Sequence, residues 1–394
     1  MTNQWVSPNT ITGDAASGQR YLRRNHINEY FWREVAKGNH ILFVAPRRVG
    51  KSSIMQDLAD NPLENYTCIY QNIEGVKTKD EFYSRLFDLI LQCANKAVKA
   101  KTFISQCLAK YDIEEITKSG LKLKGKEINY EKELRNLIPD LKNTQINTVI
   151  FLDEFAEVIN KLNKQGKQQD AIDILHTLRE LRSNNDFKHF TLVYAGSIGL
   201  EFVINTIDRP KLINDLHRVK TDQLTSDEAD QLIAQITKGA TIQLSAEVIG
   251  HLKVKINHLL PYYIQLMVEQ IDLIARQKQQ PDIITEIIDE AFEQVVNENK
   301  NFNDWLIRLK DYHKEVFPFI NEILKYTAKH GTIPIQQIYN TASGPQFKRE
   351  DDYMDFVEQL LYDGYLVETD KHVYRFISPF LQQFWLRKFP VYNG

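Results

Sequence analysis

The stretch from Ile41 to Ser53 constrains the fold of this chain more than any other. The apolar run Ile41 to Val44 reads as a buried strand. Ala45, Pro46, Arg47, Arg48 and Val49 form a loop. Gly50, Lys51 and Ser52 then open an amphipathic helix that carries Ile54, Met55 and Leu58 on one face. Strand, turn and helix in this order are the setting of a phosphate-binding loop. Backbone N–H groups of the loop and the first helical turn converge on one spot, and the positive end of the helix dipole points there. Gly50 allows close approach of the backbone to phosphate oxygens. The Lys51 ammonium is placed to reach β- and γ-phosphates. The Ser52 hydroxyl is a ligand for Mg2+, and Ser53 is a further hydrogen-bond donor. The usual pattern begins with glycine, and here that place holds Ala45.

Such a site needs a second acidic strand end. The run Val149 to Leu152 reads as a buried strand, with Asp153 and Glu154 at its carboxyl end. Ligands bind outside that end in open α/β sheets. Asp153 is the candidate for the metal shell and Glu154 for positioning and deprotonating water. A further strand from Phe190 ends near Ser197, which either senses a γ-phosphate or simply turns the chain. The strand from Thr67 to Ile73 precedes Glu74, which either faces the site or is a loop carboxylate. The fold class that follows is α/β, a parallel-sheet αβα core of the P-loop NTPase type.

The run Ala45 to Ser52 resembles the archaeal-type ATPases of the STAND group, relatives of the AAA+ proteins. Thr12, Gly13 and Tyr21 to Arg24, with Ile27, resemble that group's lead-in beside adenine. Asp153 and Glu154 resemble its Walker B pair, and Ala195, Gly196 and Ser197 its sensor region. His258 to Gln265 resembles the Gly-x-Pro helix start of its lid, with Leu259 in the glycine place and Pro261 toward adenine. The resemblance implies ATP and ADP as ligands with Mg2+, and a slow, nucleotide-driven switch working through a protein partner. It also raises a homo-oligomer in which an arginine reaches a neighbour's γ-phosphate. Arg179, Arg182 and Arg218 are the candidates, with surface ion pairing as the alternative for each.

The 394 residues allow two or three domains. We expect the core with its lead-in over residues 1–222, an all-helical lid over 223–300 and a winged helix over 301–394. Ser226 and Ser245 read as helix N-caps. Residues 160–169 read as a polar loop. The net charge of −3 gives no global argument for nucleic acid. Cys68, Cys93 and Cys107 show neither metal spacing nor a disulfide framework, which fits a reducing cytoplasm. There is no signal-like start and no membrane-length apolar run.

Two regions bear on nucleic acid. Lys96 to Lys126 holds eight lysines against Asp112, Glu114 and Glu115. That excess suits an acidic partner, or is a solvated face. In the winged helix, the segment that would enter the major groove carries Glu350, Asp351, Asp352, Asp355, Glu358 and Asp363 without a lysine or arginine, although Lys348 and Arg349 stand beside it. Such a surface is repelled by phosphates. The expected role of this module is therefore protein contact. A DNA-dependent ATPase using Lys122, Lys124 and Lys126 is the alternative, and a turnover-free ADP scaffold is a third.

Overall fold

The computed structural model describes residues 4–45, 47–117, 120–123, 128–184, 187–196, 199–207, 210–298, 300–312, 314–342 and 352–390. The chain divides into two compact units. A sheet unit holds Arg23–Ala45 and Lys51–Thr221. A helical unit holds Met1–Leu22, Pro46–Gly50 and Asp222–Gly394.

The sheet unit runs α1 (Asn25–Ala36), β1 (Ile41–Val44), α2 (Lys51–Asp60), β2 (Tyr66–Asn72), α3 (Lys79–Asn95), α4 (Lys101–Lys110), β3 (Ile113–Thr117), β4 (Gly120–Leu123), α5 (Tyr130–Leu141), β5 (Asn147–Asp153), α6 (Phe155–Lys164), α7 (Gln168–Ser183), β6 (Phe190–Tyr194), α8 (Leu200–Thr206) and β7 (His217–Lys220). Five strands form one parallel sheet in the order β2-β5-β6-β1-β7. Because the strands are parallel, all their carboxyl ends lie along one edge. β5 and β6 are apolar nearly throughout because helices cover both sheet faces and strands flank both sides. Phe31 of α1 stacks on Phe43 and Phe151, with ring centroids 5.8 and 5.6 Å away.

Two expectations change here. Residues 160–164 are not loop: α6 continues to Lys164 because Val158, Ile159 and Leu162 recur at helical spacing and are buried. Only residues 165–167 separate α6 from α7. The lysine-rich region is not one helical face either. It contains α4 and the antiparallel hairpin β3-β4, where Lys122 pairs with Glu114 at 3.0 Å. Lys110 pairs with Glu133 at 3.4 Å, and Lys96 donates to the Cys68 carbonyl. Lys124 and Lys126 lie outside the described residues.

The helical unit holds α9 (Ser226–Ile236), α10 (Ala246–Ile256), α11 (Pro261–Lys278), α12 (Thr285–Glu298), α13 (Lys300–Tyr312), α14 (Phe317–His330), β8 (Thr332–Pro334), α15 (Ile335–Thr341), α16 (Asp352–Tyr362), β9 (Leu366–Asp370), β10 (Val373–Phe376) and α17 (Pro379–Lys388). Ser245 caps α10, but Thr225 rather than Ser226 caps α9, in a capping box with Glu228. The N-terminal strap is held along these helices. Trp5 Nε1 donates to Asp272, the Asn9 amide to the Ile236 carbonyl, and the Ile11 amide to Gln265 Oε1. Gln265, buried on α11, also donates to the Arg20 carbonyl at 3.2 Å. Strands β8, β10 and β9 form a small antiparallel sheet behind α14, α15 and α16. Phe380 of α17 stacks on Tyr263 at 5.0 Å and lies 4.6 Å from Phe292, which ties this end to α11 and α12.

Candidate nucleotide site

Lys51 opens α2 and is 9% exposed. Its Nζ donates to the Ala45 carbonyl at 2.6 Å, bringing the ammonium back over the end of β1. The turn between them uses two left-handed residues, Arg48 (φ 67) and Gly50 (φ 96). A Cβ added at Gly50 would meet no protein atom within 4 Å, so it is the backbone angle that demands glycine there.

Asp153 ends β5 and is 2% exposed. Three donors fix its carboxylate. Ser52 Oγ and the Tyr70 hydroxyl donate to Oδ2 at 2.6 and 2.7 Å, and the Glu154 amide donates to Oδ1 at 3.0 Å. Burial and the neighbouring Asp153 charge push the Tyr70 hydroxyl up, so it stays a donor at neutral pH. Glu154 adopts a left-handed conformation (φ 60) that breaks the strand before α6. That kink leaves its side chain half-buried beside the fully buried Asp153.

The oxygen donors Ser52 and Asp153 suit a hard divalent cation such as Mg2+, which takes one or two protein oxygens and completes its shell with water and phosphate. Among the described residues, no cluster of three or more His, Cys, Asp or Glu side chains offers a self-sufficient metal site. Ser52 and Asp153 alone would leave most of such a cation's shell to other ligands.

Lys51, Ser52, Ser53, Asp153 and Glu154 all lie in the sheet unit, with Ser52 bonded to Asp153. Pro46 and Ser197 lie outside the described residues. Arg47, Arg48, Val49 and Gly50 belong to the helical unit, as does Pro261, the first residue of α11. There the Arg48 guanidinium sits 4.3 Å over the Tyr262 ring, and Arg47 sits 5.5 Å over Trp305. Glu74 is an exposed loop carboxylate facing Lys161 at 3.6 Å.

The three arginine candidates separate. Arg182 has a side chain 1% exposed. It pairs with Asp215 at 2.6 Å and bonds the Tyr194 hydroxyl and the Leu212 carbonyl. It is neither a surface ion pair nor free to reach another subunit. Arg179 donates to the Lys211 carbonyl, and Arg218 forms a half-exposed pair with Glu201 at 2.6 Å. Tyr70 is the site residue that sequence reading misses. Its partner is set by sheet order, which places β2 beside β5, and no local pattern announces that neighbour.

Similarity to solved structures fits this geometry. The Walker-type ATPase of Pyrococcus abyssi aligns over 95% of this chain and 99% of its own, with a TM-score of 0.64 at 14% identity. The chain has the P-loop NTPase fold. The ORC2 protein of Aeropyrum pernix, solved as ADPNP–ADP complexes, aligns over 98% of this chain and 94% of its own, with a TM-score of 0.51 at 11% identity. No protein-family model and no curated protein matches the sequence.

Proposed function

We propose that the protein binds ATP and ADP with Mg2+, hydrolyses ATP slowly, and uses the cycle as a switch read by a protein partner. The observation that carries this reading is the convergence of Lys51, Ser52 and Asp153 at the carboxyl ends of β1 and β5, with Glu154 beside them. Both similar structures support it, since one is described as an ATPase and the other was solved with adenine nucleotides.

Each residue has a defined task. Lys51 neutralises phosphate oxygens between the β and γ positions. Ser52 and Asp153 hold Mg2+, which when bound supplies charge neutralisation on the phosphates. Glu154 orients the attacking water and takes its proton. Ser53 donates at the α-phosphate. Ser197 remains our candidate γ-phosphate sensor, and Pro261 our adenine contact.

The element order from α14 through β10 supports reading residues 301–394 as a winged helix; 223–300 remains our lid and 1–222 our core with its lead-in, of which residues 1–22 group with the helical unit. Two loop arginines resting on Tyr262 and Trp305 give this helical region a handle on the phosphate loop, which suits a switch of the STAND type. Nucleic acid is disfavoured: Asp355 and Glu358 are exposed on α16, while Lys110 and Lys122 are engaged by carboxylates. No helix among the described residues is long and apolar enough to cross a membrane, and we place the protein in the cytoplasm.

The test is phosphate release by the purified protein and two variants. Lys51→Ala is expected to lower turnover at least about a hundredfold, as loss of a charge-stabilising donor does. Glu154→Gln is expected to keep ATP affinity while losing about 100- to 10,000-fold in turnover. A Glu154→Gln variant as active as the parent would remove the assigned base.

A further inference from the structure

Asp153 is held from two strands. Glu154, the residue after its own strand β5, supplies an amide to Oδ1, and β2 supplies Tyr70 to Oδ2. Ser52 shares Oδ2 with Tyr70. Carboxylate χ2 is a soft, roughly two-fold torsion. With Ser52 and one amide alone, the group could rotate. A second strong donor on Oδ2 narrows the tilt of the carboxylate plane beside Ser52. This matters because Mg2+ demands near-octahedral geometry and tolerates little misplacement of its partners.

We propose that Tyr70 is a positioning residue of the Mg2+ site, whose hydroxyl locks Asp153 in the orientation that lets Ser52 and the carboxylate serve one cation. The proposal rests on the Mg2+–nucleotide reading given above. Tyr70 touches neither nucleotide nor reacting atoms in this role. Its hydroxyl also lies against Ser52 and Gln56, and the role assigned to it is the one through Asp153. Loss of such an outer partner typically costs about 10- to 100-fold in metal affinity.

The experiment titrates Mg2+ against protein and a fluorescent ATP analogue, then repeats the binding in EDTA. For Tyr70→Phe, which keeps the half-buried ring, the Mg2+ midpoint is expected to rise about tenfold, with affinity in EDTA unchanged. Added to Asp153→Asn, the same substitution is expected to shift the midpoint no further. An unchanged midpoint overturns the proposal. So does an equal loss in EDTA, which would mean that the ring merely shapes the pocket, and so does a full additional shift on Asp153→Asn. Should Tyr70→Phe not fold, Tyr70→Met also lacks the hydroxyl but refills the space with a flexible side chain, and the same outcomes apply. A parent whose nucleotide binding ignores Mg2+ would instead sink the underlying reading, so the two failures are distinguishable.

Discussion

At the scale of residues, buried polar groups fix both the chemistry and the acid limit of the fold. His40 accepts the Leu192 amide on Nδ1 at 2.9 Å, which requires a neutral ring. Burial, reinforced by the Arg182 charge and opposed by Asp215, pushes its pKa down from 6.5 to about 3. The unfolded chain therefore binds the extra proton between those values. Stability is fully present above about pH 6.5 and falls as the pH drops toward 3. The slope is at most about 1.4 kcal/mol per pH unit from this group. His258 acts in the same direction, with a pKa near 4 set by burial against the nearby Asp222. Thermal melting at pH 7 and pH 5 is expected to show a lower Tm at pH 5, with a smaller drop in His40→Gln. Parallel drops in parent and variant would exclude His40 as a source.

Elements were legible where burial dominates. β1, β5 and β6 are short continuous apolar runs, and they carry Ala45, Asp153 and Ala195 at their ends, so the phosphate loop and its acidic partner could be read directly. Elements facing water were not. Asn160, Lys161, Asn163 and Lys164 hid the continuation of α6, because within residues 160–164 only Leu162 is apolar. Glu114, Glu115 and Lys122 similarly hid the β3-β4 hairpin. The role of Arg182 was misread for a related reason: sequence shows a charge on a helix but not that Asp215 meets it inside. Removing one partner of a buried pair strands the other. Arg182→Ala is expected to cost about 2–4 kcal/mol, toward the lower end of such losses because Asp215 keeps partial contact with water. Denaturant unfolding measures this, and a loss below about 1 kcal/mol, the value of a surface pair, would refute the anchoring role.

At the scale of the molecule, the segment after β1 changes unit membership along the chain. Ala45 and Lys51 belong to the sheet unit, and residues 46–50 to the helical unit. The loop arginines meet aromatic rings of α11 and α13 there. Trp305 is itself held by Tyr365, which stacks edge-on at 5.3 Å and donates from its hydroxyl to the Trp305 carbonyl. Within the helical unit, Arg47 and the C-terminal Tyr365 thus meet at the same residue, Trp305. Cation–π contacts of this kind contribute about 0.5–2 kcal/mol. Trp305→Leu and Arg47→Met are each expected to speed release of fluorescent ADP by about 2- to 30-fold. Unaltered release in Trp305→Leu would leave the C-terminal region without that influence.

The most direct measurement is a calorimetric titration of ATP into the purified protein with and without Mg2+, beside Lys51→Ala. Expected is one site per chain, tightened by Mg2+ in the parent and lost or severely weakened in the variant. Equal ATP binding by parent and Lys51→Ala, or none by the parent in the presence of Mg2+, would contradict the assignment of the Ala45–Ser52 turn and Asp153 as a nucleotide site.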